Sequence, residues 1–335
     1  MKPNFNIITV TGFGATGSSA ISHIVSEFDN VKSLGSTEFW LLQDLHGISD
    51  LDYFLNDGNH RSKTFVGIRN FARLVKKNKA FYSKYFPNFD EISSEYISNL
   101  KDTTFNKALH PFEYEQSFIL EIFVKVYFKL QSIKHKLFTP NEELILKLPL
   151  NQKYHFKYDP EYFYQITKKF TRKLFESIID NKNYNHVMVD QLVPSTNISR
   201  YFNYIDKLKV IVVDRDPRDI FLLNKLKWRG TPVLCDTDNV GVFIDWYSSI
   251  RHNSFKGDNS DVMRINFEDL IYNYETSLEK IVSFCSLNEK FHNQKFKIFD
   301  PKKSIVNTKL WKRPHNFQNE ISEIERKLTK YCYTA

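Results

Sequence analysis

Apolar positions follow two patterns along this chain: short continuous runs, and longer stretches where they recur every three or four residues. Asn6-Ile7-Ile8-Thr9-Val10-Thr11 is a β-branched run that predicts a buried strand. Ala20-Ile21-Ser22-His23-Ile24-Val25 follows with helical spacing. Apolar runs at 144–148, 186–190 and 209–213 predict further strands, and 31–34 and 262–266 are strand candidates beside them. Helical spacing covers 49–55, 112–133, 162–180, 197–205, a stretch from Asp219, 239–251, 270–284 and 319–330. In the longest of these, Phe118, Ile122, Val126 and Leu130 stand four apart. Thr37 reads as the N-cap of a helix beginning at Glu38.

Strands that are nearly continuous in apolar residues and separated by helices predict an α/β fold with a central parallel sheet covered on both faces. Residues 65–180 read as largely helical and are too long for a loop, so they are taken as an insertion within a single domain spanning 1–335. Selectivity for a substrate is expected there. Ligands of such sheets bind at the carboxyl ends of the strands. Residues 12–19, Asp190 and the turn around Arg215 all fall at those ends.

Composition narrows the picture. With 335 residues, 41% of them hydrophobic, the chain can bury a sizeable core. Its net charge of +8 favours anionic ligands. The excess is spread over lysine-rich runs without an arginine-rich tail, which argues against nucleic acid. Cys235, Cys285 and Cys332 are far apart, no Cys-x-x-Cys occurs, and the ten histidines lack ligand spacing. Neither a disulfide nor a metal is expected, and the thiols suit a reducing compartment. No apolar run has the length of a membrane span and no leader-like segment opens the chain. A cytoplasmic protein is expected.

The candidate chemistry begins with Gly12-Phe13-Gly14-Ala15-Thr16-Gly17-Ser18-Ser19, between the first strand and the first helix. Such a turn points backbone N–H groups at an anion, and the helix dipole favours the negative charge. Gly12, Gly14 and Gly17 satisfy the dinucleotide fingerprint GxGxxG. The same residues satisfy GxxxxGK[ST] except that Ser18 replaces the lysine. The first template implies an oxidoreductase with Glu38 as a ribose acid; the second implies a nucleoside triphosphatase, whose lysine is missing. A second feature is the strand that runs into Asp214-Arg215-Asp216-Pro217-Arg218-Asp219. Pro217 suits a helix first turn, and Arg215 before it can meet a phosphate with its fork of donors or pair with Asp214 or Asp219.

With those residues in view, the chain resembles sulfotransferases that use 3′-phosphoadenosine-5′-phosphosulfate (PAPS), in particular bacterial members with a P-loop-like α/β fold. Residues 210–220 look like the family's 3′-phosphate-binding strand and turn, Arg-x-Pro-x-Asp. Ala15-Thr16-Gly17-Ser18-Ser19 resembles its 5′-phosphosulfate loop, and Phe267-Glu268-Asp269-Leu270 its Tyr-Glu-Asp-Leu segment. The resemblance covers about 5–42, 187–227 and 262–313. It implies transfer of a sulfuryl group to a hydroxyl or amine, with a carbohydrate or lipid-linked acceptor and no metal.

By that resemblance Gly12, Gly14, Ala15, Thr16, Gly17, Ser18 and Ser19 hold the phosphosulfate and Arg215 the 3′-phosphate. Asn224 substitutes for a serine whose place Leu223 takes, and Trp311, Lys312 and Arg313 stand in for a basic cofactor segment. Ala15 occupies the site of a loop Lys or Arg, and Arg61, Lys147 or Lys312 is expected to replace that charge. Glu38 is the first candidate base, with His60 and His110 as alternatives, and Asp190 orients substrate or caps a turn. A dinucleotide oxidoreductase and a non-catalytic nucleotide- or anion-binding protein remain the competing readings.

Overall fold

The computed structural model describes residues 5–58, 63–108, 118–146, 148, 151–156, 159–179, 184–227, 235–252 and 254–334. In chain order the elements are β1 (Asn6–Gly12), α1 (Ser18–Ser26), β2 (Val31–Glu38), α2 (Ile48–Asp52), α3 (Lys63–Tyr82), α4 (Phe89–Asn99), β3 (Thr103–Ala108) and α5 (Phe118–Phe138). They continue with β4 (Asn151–Phe156), α6 (Pro160–Glu176), β5 (His186–Asp190), β6 (Leu208–Asp214), α7 (Pro217–Leu226), α8 (Val240–Arg251), β7 (Val262–Asn266), α9 (Phe267–Tyr272), α10 (Tyr274–Cys285), α11 (Pro301–Ser304) and α12 (Gln318–Lys327). The chain forms two compact units. One comprises Met1–Asp44, Phe81–Phe89 and Thr167–Ala335; the other comprises Leu45–Ala80 and Asp90–Ile166.

The first unit is built on a parallel sheet ordered β2-β5-β1-β6-β7. β1 is central, and its interior residues are buried on both faces, which suits its β-branched sequence. Ile8, Val10 and Ile211 of the strands pack with Ile21 and Ile24 of α1 and with Leu270 and Ile281 of α9 and α10. Phe221, Phe243, Tyr247, Ile321 and Ile324 form a second cluster from α7, α8 and α12. Asp216 caps α7 by accepting from the N–H of Arg218 at 2.9 Å, with Pro217 in the first turn.

Two departures from the sequence reading matter. No helix starts at Glu38: β2 runs on through Gly35, whose φ of 70° lets the strand slip register between Ser33 and Glu38, and Glu38 ends opposite Asp190. Phe39 is then buried against Tyr82, Tyr85 and Phe86. The expected strand at 144–148 is also absent: residues 144–146 have no regular structure, Lys147 lies outside the described residues, and Leu148 is buried against α5. The second unit instead pairs β3 with β4 antiparallel, with Phe105 stacked on Tyr154 across the strands.

Candidate functional site

The ladder partners Gly12 of β1 with Val213 of β6, and the chain then turns sharply into α1. Gly17 precedes the helix with φ 88°, and a Cβ there would stand 2.5 Å from the Phe267 ring. Only glycine suits that position. Among the described residues no hydrogen bond engages the N–H groups of Gly14 through Ser19. Six donors are therefore unpaired at the start of a helix whose first turn carries no acid. Thr16 is buried beneath the loop, so its hydroxyl belongs to the turn's own packing rather than to its mouth. Ser18 Oγ accepts from Gln191 Nε2 at 3.1 Å, and Gln191 Oε1 accepts from the Thr11 hydroxyl at 3.0 Å. Gln191, which the sequence reading passed over, thereby ties the end of β5 to the loop.

Arg215 lies on the other side of the turn and is only 5% exposed. Its Nη1 donates to the Ala15 carbonyl at 3.1 Å, its Nη2 to the Asn307 carbonyl, and its guanidinium stands 4.7 Å from the centre of the Phe267 ring. The fork is spent on protein carbonyls, so here Arg215 is a brace that joins the loop, α9 and the C-terminal segment. It forms no ion pair with Asp214 or Asp219 among the described residues; its backbone N–H donates to Asp214 Oδ1 at 3.0 Å.

Asp219 secures the basic segment. Its carboxylate accepts from the backbone N–H groups of Lys309 and Leu310 at 2.8 and 2.7 Å. Burial pushes its pKa up to about 6, reinforced by the neighbouring Asp216. Lys312 and Arg313 are exposed, with Lys312 Nζ 5.0 Å from the Trp311 ring centre and Arg313 Nη2 donating to the Thr308 carbonyl at 3.2 Å. The other face of Trp311's environment is buried: Arg218 lies 3.8 Å from its ring centre. Asn224 turns its Nδ2 back to the Ile220 carbonyl at 2.9 Å, so its donor is engaged within its own helix.

Two carboxyl groups meet where β2 and β5 end. Asp190 is buried, with one oxygen lacking any partner, and desolvation raises its pKa to about 6, with a further upward push from Glu38. Glu38 is exposed at the strand end, two strands or roughly 10 Å across the sheet from β1. His60, Arg61, His110 and Lys147 lie outside the described residues.

Ala15 has φ 54° and packs against the α7–α8 cluster, so its side chain is turned away from the N–H groups. Besides Arg215, a second buried guanidinium touches the loop. Arg251, at the end of α8, stands 4.2 Å from the Phe13 ring centre and 3.5 Å from that of Tyr247, and pairs with Asp214 at 2.6 Å. It also lines a cavity of about 1430 Å³ with Asn266, Asp269, Lys330 and Tyr331, beyond the ends of β6 and β7. Sequence inspection had no means of pairing Arg251 with Phe13, since only the tertiary fold joins them. No group of three or more potential metal ligands occurs among the described residues.

The arrangement is a parallel α/β sheet with a glycine-containing loop of unpaired N–H groups at the carboxyl end of its central strand. No family model and no curated protein matches the sequence. Among solved structures, the chain is similar to sulfotransferase STF1 from Mycobacterium tuberculosis, with 12% identity over 98% of this chain and 78% of that chain and a TM-score of 0.39. It is similar to the sulfotransferase domain from the curacin biosynthetic pathway, with 12% identity over 98% and 99% of the two chains and a TM-score of 0.41. Retinol dehydratase in a complex with retinol and PAP is also similar, with 10% identity over 99% and 82% and a TM-score of 0.34.

Proposed function

We propose that the chain is a PAPS-dependent sulfotransferase acting on a hydroxyl or amine of a carbohydrate or glycolipid. The observation that carries this reading is the set of six free N–H groups at the start of α1, braced from behind by Arg215. That cradle fits a terminal phosphate ester, because N–H donors and the helix end meet its oxygens without a loop lysine. PAPS supplies an activated sulfuryl group, whose bond to the 5′-phosphate oxygen breaks as the acceptor atom bonds sulfur.

The residues divide the work. The N–H groups of 14–19 and the hydroxyls of Ser18 and Ser19 hold the 5′ end and stabilise charge on the departing phosphate. Arg215 fixes the loop and adds positive potential, as does Arg251 behind Phe13. Lys312 and Arg313, on the segment that Asp219 pins, take the 3′-phosphate. Glu38 accepts the acceptor's proton, with Asp190 at its side.

Strand order speaks against a dinucleotide oxidoreductase. The ribose acid of that fold sits at the end of the strand next to β1, whereas β5 separates β2 from β1 here. Calorimetry with adenosine 3′,5′-bisphosphate, NADH and ATP tests the reading: the bisphosphate binds and the other two do not. Binding of NADH alone overturns it. Release of the bisphosphate from PAPS in the presence of a glycan acceptor tests transfer itself.

A further inference from the structure

α5 carries an apolar stripe that faces solvent. Ile119, Ile122, Phe123, Val126, Leu130, Ile133 and Leu137 are all exposed, from 47% at Ile133 to 80% at Ile119. At about 100° per residue these seven fall within an arc of roughly 100°, one continuous strip along the helix. The opposite face is the one that packs, through Val124 against Leu148 with Phe128 alongside. Soluble surfaces expose single apolar side chains freely, but a continuous strip of this length marks an interaction face.

The charges beside the strip identify its occupant. Lys125, Lys129 and Lys136 are exposed along one margin of the arc and Lys134 along the other. Glu121 is the helix's only acid, and Lys125 pairs with it at 2.6 Å. An apolar strip between lysine margins matches a bilayer surface: the Ile, Leu and Phe side chains enter the acyl boundary while the lysines reach anionic headgroups. A second copy of the same helix would bring lysine against lysine with only Glu121, already paired with Lys125, to answer them. No helix among the described residues is long and apolar enough to cross a membrane, so a bilayer would meet α5 along its face.

We propose that α5 docks the protein on an anionic membrane, with its apolar strip in the interface and its lysines on the headgroups. This stands apart from sulfuryl transfer and holds or fails without it. The experiment is co-sedimentation of the full chain with vesicles of phosphatidylcholine alone and of phosphatidylcholine mixed equally with phosphatidylglycerol. The mixed vesicles are expected to capture the chain, and added salt to release it. V126E/L130E and K125E/K129E/K136E are each expected to lower the partition by about tenfold or more. All these side chains are exposed, and an unchanged circular dichroism spectrum with an unchanged thermal unfolding midpoint verifies folding. Failure of the wild-type chain to bind the mixed vesicles, or equal binding by V126E/L130E, overturns the proposal. So does light scattering that shows a stable dimer which V126E/L130E dissociates.

Discussion

The guanidinium of Arg215 donates to the carbonyl of Ala15 at 3.1 Å, so the cation at the end of one strand holds the loop at the end of its neighbour. The loop lacks a lysine of its own, and that bond substitutes support from behind for a charge in front. Arg215→Ala leaves the Ala15 and Asn307 carbonyls without their donor and removes the cation from Phe267. Affinity for adenosine 3′,5′-bisphosphate is expected to fall by about 2–3 kcal/mol. Calorimetry giving an affinity within about twofold of wild type refutes this role.

Gly17 is the second fixed point. Gly17→Ala forces a Cβ at φ 88° against the Phe267 ring. A loss of roughly 2 kcal/mol in urea unfolding is expected, together with weakened bisphosphate binding. A variant that unfolds at the wild-type urea concentration shows that the turn relaxes freely, contrary to this expectation.

Glu38→Gln separates binding from chemistry. The side chain stands at the end of β2, exposed and away from the N–H cradle. Turnover is expected to drop by about 100-fold while bisphosphate affinity stays unchanged. Full activity in the variant assigns the base elsewhere.

Glu268 gives a prediction in pH. It is buried, accepts from the N–H of Asp216 at 3.0 Å, and burial lifts its carboxyl from near 4.5 to about 7. The folded state therefore holds this proton more tightly than the unfolded state does. The associated stability is complete below about pH 4.5 and is lost as pH rises through about 7. Glu268→Gln has no such loss, so it should gain on wild type between about pH 5 and about pH 8 by roughly 2 kcal/mol. Urea unfolding at the two pH values measures the difference. A gap independent of pH contradicts the burial argument.

Local patterns revealed what is locally determined. The β-branched run of β1, the three glycines after it and the Arg-x-Pro turn each declare themselves within a few residues, and together they located the carboxyl edge of the sheet. Glu38 was misread because Thr37-Glu38 is a good helix start taken alone; pairing with β5, far along the chain, keeps it in a strand. The β3–β4 pair escaped for the same reason, since its stabilising ring contact spans Phe105 and Tyr154. Gln191 and Arg251 carry no local signature, and their importance comes only from what the fold sets beside them.

The order of the sheet has a consequence for how the chain is made. β1 is made well before its two neighbours in the sheet, residues 186–190 and 208–214. During synthesis this buried strand must wait, unpaired, for about 170 further residues before the first of its partners is made. A nascent chain that ends before His186 has neither Gln191 nor Arg215 to shape the glycine loop. The braced form of the glycine loop therefore arrives late and all at once, when β6 closes against a strand completed long before.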